Sequence, residues 1–360
     1  MKILILANND VGLYQFRRPL IEALLAKNDV SISLPYGALV EPLKAEGCVF
    51  LDTPVDRRGI NPMTDMKLLG RYRRMLRAEK PDLLLTYTIK PNIYGGLAAK
   101  KARIPYAVNI TGLGTAFQKQ GILRKMVVFL YKMALKKAKV VFFENAHNRQ
   151  VFLDEGIIPA QKACLLSGAG VDLSHYTPQH YPDGPVRFLF VGRVMKEKGI
   201  GELFEAMERL HAEGERCVLD VLGLHEEDFA EKIVKGQRQG WLNYHGYQQD
   251  VRPFIKKAHC FVLPSYHEGM ANTNLECAAM ARPLITSDIP GCREAVTPES
   301  GILCKPQDAE SLYWAMKTFL ALPKEARESM GKASRAHMEA VFDKKKVVAD
   351  TLAALEIKVR

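Results

Sequence analysis

The 360-residue sequence contains no apolar run of about 18 residues, which excludes a simple membrane-spanning helix. It has no paired C-x-x-C spacing, and its seven cysteines (Cys48, Cys164, Cys217, Cys260, Cys277, Cys292 and Cys304) are scattered and odd in number. Neither a disulfide framework nor a zinc cage fits that pattern, so they read as small core residues of a protein from a reducing compartment. His147, His245 and His267 match no zinc spacing, and no D-x-D is present to hold a divalent cation, so no metal is expected. G-x-G-x-x-G is missing after the first apolar run, and GLGTAF at 112 and GAGVDL at 168 lack the third glycine. That argues against a nicotinamide-dependent oxidoreductase. The opening MKILILANND has one lysine and too short an apolar region for a signal peptide, so a cytoplasmic protein is expected.

What is present is a globular composition, 48% hydrophobic and 25% charged, on a chain long enough for two domains. Short apolar runs alternate with helical patterns: KILILA, VSISL, PDLLLTY, YAVNI and KVVFFE, interleaved with RRPLIEALLA, LLGRYRRMLRA and YGGLAAKKA. From residue 186 the alternation restarts with VRFLFVG, CVLDVLG, WLNYHG, CFVLPS, PLITS and GILCK. This is the signature of parallel sheets wrapped by helices. The proline- and histidine-rich stretch VDLSHYTPQHYPDGP, residues 171–185, reads as a linker. The expected architecture is therefore α/β, with two tandem Rossmann-like doubly wound domains over 1–175 and 176–340. A C-terminal helix within 341–360 is expected to pack back toward the first. Ligands bind such sheets at the carboxyl ends of strands, so a site in the interdomain cleft is expected.

The net charge of +11 is unevenly shared. Residues 1–175 hold 26 Lys and Arg against 14 Asp and Glu, whereas residues 176–360 hold 25 against 26. A basic half suits nucleic acid, anionic lipid or a phosphorylated substrate. The basic residues fall on amphipathic helical patterns without the interleaved aromatics of single-strand grooves, so nucleic acid is not expected.

Two stretches of the second half carry chemistry. In VGRVMKEKGIGELFEAM, residues 191–207, a strand ends in a turn bearing Arg193 and Lys198, and Gly199 precedes an amphipathic helix. Two cations beside a helix N-terminus suit a diphosphate, since free N–H groups and the helix dipole also favour anions. In HEGMANTNLE, residues 267–276, Glu268 lies on the loop after another strand and Glu276 lies eight positions later, in a helix starting near Thr273. A Thr273–Glu276 capping box is the competing explanation for the second glutamate. A diphosphate beside carboxylates points to a nucleotide sugar.

V-G-R-x4-K-G followed by P-S-x-x-E-G and E-x7-E resembles the retaining family 4 glycosyltransferases of GT-B fold. YTIKPNIYGGLAAK, NITGLGTAF, SGAGVDL and HEGMANTNLE further resemble bacterial capsule, O-antigen and glycan enzymes of the N-acetylgalactosaminyltransferase kind, which extend undecaprenyl-diphosphate-linked sugars. The resemblance implies a UDP-sugar donor, an undecaprenyl-diphosphate-linked saccharide acceptor and no cofactor. Arg193 and Lys198 would hold the donor diphosphate, Glu276 the ribose, and Glu268 would lie near the transferred sugar. Backbone amides of Met270, Ala271 and Asn272 would contact sugar or phosphate, and Gly12 would let the N-terminal backbone approach the diphosphate. Lys90, Asn92 and Thr111 would face the acceptor. Many members of the family that this chain resembles carry a histidine at the end of this strand, and Thr111 takes its position here, so a histidine contact to the sugar is not expected. A nucleotide-sugar epimerase of the same architecture, or a transferase using GDP-mannose or a UDP-uronic acid, is the alternative.

Residues 121–142, GILRKMVVFLYKMALKKAKVVF, pattern as an amphipathic helix. Its apolar face would comprise Met126, Phe129, Leu130 and Met133, with Lys132, Lys136, Lys137 and Lys139 toward its end. RYRRMLRA, residues 71–78, adds a second basic stretch. This face is expected to rest on the anionic inner leaflet of the plasma membrane, making the protein peripheral there.

Overall fold

A computed structural model describes residues 1–56, 59, 61–117 and 121–357. The chain divides into two compact units, residues 1–169 with 344–360, and residues 170–343. In the first unit, β1 (Lys2–Leu6), α1 (Asp10–Leu25), β2 (Asp29–Leu34), α2 (Val40–Ala45) and β3 (Val49–Asp52) lead into α3 (Pro62–Glu79). Then come β4 (Leu83–Tyr87), a single wide turn over Pro91–Gly95 continuing into α4 (Gly96–Ala102), and β5 (Tyr106–Ile110). The unit continues through α5 (Ile122–Leu135), β6 (Val140–Phe143), α6 (Ala146–Asp154) and β7 (Ala163–Leu165). Its strands lie in the order β3-β2-β1-β4-β5-β6-β7, and every pair is parallel.

The second unit contains β8 (Val186–Val191), α7 (Ile200–Ala212), β9 (Cys217–Leu222), α8 (Ala230–Gln239), β10 (Leu242–Tyr244) and α9 (Arg252–Lys257). β11 (Cys260–Leu263), α10 (Asn272–Ala279), β12 (Leu284–Ser287), β13 (Gly301–Cys304), α11 (Ala309–Ala321) and α12 (Lys324–Val341) follow. This sheet is also parallel, in the order β10-β9-β8-β11-β12-β13. The last helix, α13 (Lys344–Ala354), belongs to the first unit, where Val347, Leu352 and Leu355 join the core under α1.

Helices cover both faces of a parallel sheet, so its central strands are apolar throughout. LLLTY of β4 and CFVL of β11 are buried at every position. The sequence reading missed β3 and β7, both edge strands of the first sheet that are short and largely uncovered, although each lies in a four-residue apolar run, CVFL at 48–51 and ACLL at 163–166. It also carried one helical pattern through residue 142. Instead α5 ends at Leu135, and residues 140–143 form a strand inside the sheet. All seven cysteines are free thiols, six of them buried, which matches their reading as core residues.

The stretch 171–185 is not a free linker. Arg282, with no exposed surface, donates to the carbonyls of Gln179, His180, Ile255, Lys256 and Ala281. Arg335 binds the Tyr176 carbonyl, and the Val171 amide bonds the Phe342 carbonyl. These bonds fasten the stretch to the second unit and place the boundary at residues 169–170 rather than after 175. A guanidinium buried without a carboxylate is tolerated because carbonyl dipoles satisfy its donors.

Next to this lock, His259 is buried and accepts the Arg187 amide on Nδ1 at 3.1 Å. Burial, with Arg327, Arg282 and Arg187 nearby, pushes its imidazole down to about 4. The unfolded chain takes up that proton near the ordinary value of about 6.5. Stability from the neutral ring is therefore complete above that value and declines as the pH falls toward 4, by about 2 kcal/mol at pH 5. Thermal unfolding midpoints followed from pH 7 to 5 should fall more steeply for the native chain than for His259→Asn, which keeps an acceptor for Arg187.

Candidate active site

In a doubly wound sheet, the two strands from which the order runs in opposite directions leave a crevice at their carboxyl ends. In the second unit those strands are β8 and β11. The turn after β8 carries Arg193 and Lys198, and the loop after β11 carries Glu268. Residues 70 positions apart in sequence thus meet, and Lys198 Nζ forms an ion pair with Glu268 Oε1. Ser265 Oγ donates to the same carboxylate oxygen at 2.9 Å.

Gly199 makes the approach possible. It sits at φ 70°, and a Cβ there would lie 2.1 Å from the Pro264 carbonyl oxygen. The Tyr266 amide then bonds the Glu197 carbonyl at 2.9 Å, tying the two loops together. On the other side, Gly291 at φ 86° lies against the Glu268 and Gly269 carbonyls, where a Cβ would approach within 2.7 Å. The Ala271 amide bonds the Gly291 carbonyl at 2.8 Å. The Ala271 N–H, expected to contact the donor, is therefore committed within the protein.

Arg193 lies on the outer side of the same turn and pairs with Glu226 at 2.9 Å. The loop after β9 braces this turn, since the Val194 amide bonds the Leu224 carbonyl and the Lys196 amide bonds Glu227. Each of the two cations thus holds a carboxylate. Glu226 was not found by sequence reasoning, because nothing in LHEED marks which of its acids will face Arg193.

Glu276 is not part of a capping box. Helix α10 starts at Asn272, its cap position is Ala271, and no side chain caps it. Instead the half-buried Glu276 receives a hydrogen bond from the Tyr176 hydroxyl. Burial, and then the charge of Glu276, push that phenol well above its ordinary value. Tyr176 comes from the stretch read as linker, so its role was legible only once that stretch was folded onto the second unit.

In the first unit the equivalent crevice lies between β1 and β4. Gly12 is in the first turn of α1 rather than in a loop, and its amide donates to the Asn9 cap at 2.7 Å. That bond uses the N–H of the residue expected to admit the diphosphate. Lys90 follows β4 and pairs with Asp65 at 2.8 Å, both largely buried. Tyr94 donates to the other Asp65 oxygen at 2.9 Å. Thr88, just before Lys90, has φ 72°, a conformation unusual for a β-branched residue and often held at functional sites. Asn92 is 1% exposed and donates to the Asn109 carbonyl at 2.8 Å, so it holds β5 in place instead of facing an acceptor. Thr111 lies half-exposed just past the end of β5.

Gly199→Ala should separate the two loops, because the added carbon meets backbone and not a mobile side chain. Turnover should fall at least about tenfold, consistent with the cost of roughly 1 Å misplacement in a catalytic constellation. Steady-state rates alongside a thermal melt check this, since a variant with native stability and full rate would show that the approach is not required.

The geometry agrees with comparisons to known proteins. Residues 2–145 match the family described as "Glycosyl transferase 4-like", and residues 178–337 match "Glycosyl transferases group 1". The chain is 26% identical over 332 residues to the N,N'-diacetylbacillosaminyl-diphospho-undecaprenol alpha-1,3-N-acetylgalactosaminyltransferase of Campylobacter jejuni, covering 87% of each chain. It is 26% identical over 284 residues to the UDP-Gal:alpha-D-GlcNAc-diphosphoundecaprenol alpha-1,3-galactosyltransferase of Escherichia coli, covering 72% of this chain and 71% of that one. The crystal structure of Anabaena HepE in complex with UDP and glucose superposes with a TM-score of 0.80 at 16% identity, over 99% of each chain. Two parallel-sheet units, a family match on each and relatives of one enzyme class aligned over most of their length together establish that this chain is a GT-B glycosyltransferase, 4-like in its first unit and of group 1 in its second.

Proposed function

We propose that the chain transfers a sugar of the N-acetylhexosamine class from a UDP-sugar to a saccharide carried on undecaprenyl diphosphate, with retention of anomeric configuration. The observation that carries this reading is the pairing of Arg193 with Glu226 and of Lys198 with Glu268 around the β8–β11 crevice. A donor diphosphate entering there competes for both cations and leaves Glu268 beside the sugar. The relatives from Campylobacter jejuni and Escherichia coli, whose names specify diphospho-undecaprenol acceptors, support the acceptor class. This reading puts the reaction on the cytoplasmic side of the membrane that holds the lipid.

In this mechanism the acceptor hydroxyl oxygen forms a bond to the anomeric carbon on the face from which UDP departs. The bond from that carbon to the β-phosphate oxygen breaks, and a β-phosphate oxygen takes the acceptor proton. Arg193 and Lys198 neutralise the charge developing on the leaving group, as preorganised cations do without reorganising. The amides of Met270 and Asn272, at the start of α10, add hydrogen-bond donors. Glu276 accepts from ribose hydroxyls, with Tyr176 holding its carboxylate in place.

Lys198→Ala should lower turnover by about 10²–10³-fold while the fold persists, the scale set by losing one transition-state partner. It is read by UDP release on adding a lipid-linked acceptor, and unchanged turnover would remove Lys198 from the mechanism. The two glutamates should separate by measurement. Glu276→Gln should weaken UDP binding roughly tenfold, the scale of one charge-assisted hydrogen bond. Glu268→Gln should leave UDP affinity near native and damage transfer. Calorimetric titration with UDP against transfer rates distinguishes them, and equal effects of both changes on both readouts would contradict the division of roles.

A further inference from the structure

Among the described residues, seventeen large apolar side chains are exposed, and six of them fall within the first eight residues of just two helices. On α3 these are Met63 (75% exposed) and Met66 (61%). On α5 they are Ile122 (88%), Leu123, Met126 and Phe129 (59%). Surface apolar residues scattered singly need no explanation, but a cluster marks an interaction site.

The two groups share one edge of the first unit. Helices α3, α4 and α5 pack side by side over one face of the sheet, and each leads from the carboxyl end of a parallel strand to the amino end of the next. Their first turns therefore all lie at the carboxyl edge, the edge where Lys90 and Thr111 stand. The core face of α5 is Val127, Val128, Tyr131, Ala134 and Leu135. Ile122, Met126, Phe129 and Met133 follow one another at helical spacing on the opposite side, with Met133 half-buried. Helix α5 is thus apolar on two faces, which a helix covering a sheet does not require.

Charge selects the occupant. Neither α4 nor α5 contains an acidic residue. Asp65, in the first turn of α3, is held by Lys90 and Tyr94. Lys67 and Arg71 on α3 and Lys125 on α5 are exposed beside the apolar side chains, and Arg74, Arg77, Lys101 and Lys132 are exposed farther along the same helices. Lys136 and Lys137 are exposed farther toward the amino edge, and Lys139 is paired with Glu356. An apolar edge backed by cations fits an anionic lipid surface, where the cations attract the headgroups and the apolar side chains enter the interface. The same face of a second copy would bring like charge against like charge.

We infer that the first two turns of α3 and α5 form a lipid-docking edge, with Met63, Met66, Ile122, Leu123, Met126 and Phe129 inserted among the headgroups of an anionic bilayer. This rests on the lipid-linked acceptor proposed above and specifies how it is reached: the edge that inserts is the edge that carries Lys90 and Thr111. Insertion is thereby assigned to the start of α5, opposite the end where Lys136 and Lys137 gather.

The test is co-sedimentation with vesicles of phosphatidylglycerol and phosphatidylcholine, or of phosphatidylcholine alone, at low and high salt. The native chain should partition onto the anionic vesicles, less so at high salt. The Met63→Ser, Met66→Ser, Met126→Ser and Phe129→Ser combination should bind at least about tenfold more weakly, since each fully buried apolar side chain contributes roughly that factor. Its melting temperature and its affinity for UDP should remain native. Ile122→Glu alone should weaken binding in the same direction without a folding cost. Native protein left in the supernatant, or a combined variant bound as well as the native chain, overturns the inference. So does sedimentation velocity showing a dimer that the combined variant dissolves while vesicles go unbound. UDP binding by a chain that ignores vesicles would sink the docking edge alone, whereas vesicle binding without UDP binding would sink the proposed donor and spare the edge.

Discussion

The crevice of the second unit depends on one close approach, the carbon-free space at Gly199 against the Pro264 carbonyl. Strands β8 and β11 are neighbours in the sheet although a helical layer and two strands separate them in sequence. Their following loops emerge side by side, but adjacency alone does not bring Lys198 to Glu268. The turn must also fold down onto the strand end, and only a residue without Cβ permits it at that φ. Once it does, the Tyr266–Glu197 backbone bond and the Lys198–Glu268 ion pair close the contact.

Both cations hold carboxylates. An unpaired lysine in a largely buried position carries a desolvation cost, and Glu268 offsets it for Lys198. The two glutamates of E-x7-E divide accordingly. Glu268 is tied to Lys198, while Glu276 is tied to Tyr176.

The first unit uses the same topology with different side chains. Its crevice between β1 and β4 holds a capped helix start at Asn9, the Lys90–Asp65 pair and a strained Thr88. Its excess positive charge lies instead on the helix layer formed by α3, α4 and α5. That separation of charge is what the proposed function and the proposed lipid-docking edge require, one half meeting a diphosphate and the other a charged surface.

The alternation of apolar runs and amphipathic helices determined both sheets, because a parallel strand covered on both faces must be apolar at every position. That Arg193 and Lys198 follow one strand, and Glu268 and Glu276 another, was legible because each group lies within one local strand–loop–helix segment. Edge strands β3 and β7 were not, since an apolar run of four residues, CVFL or ACLL, does not by itself tell a strand from a helix segment. Nor were Glu226, Tyr176 and Asp65, each brought to its partner from a distant segment by packing that no local pattern encodes. The stretch 171–185 looked like a linker because it is polar and proline-rich, yet the buried guanidinium of Arg282 binds its carbonyls into the second unit. Likewise the face of α5 that the sequence offered to the core was chosen by tertiary contact: with apolar residues nearly all round, periodicity could not say which side the sheet would take. Sequence determined which segments pair and which residues stand at strand ends; the tertiary structure decided which of them touch, because long-range contact depends on where each strand lies in its sheet.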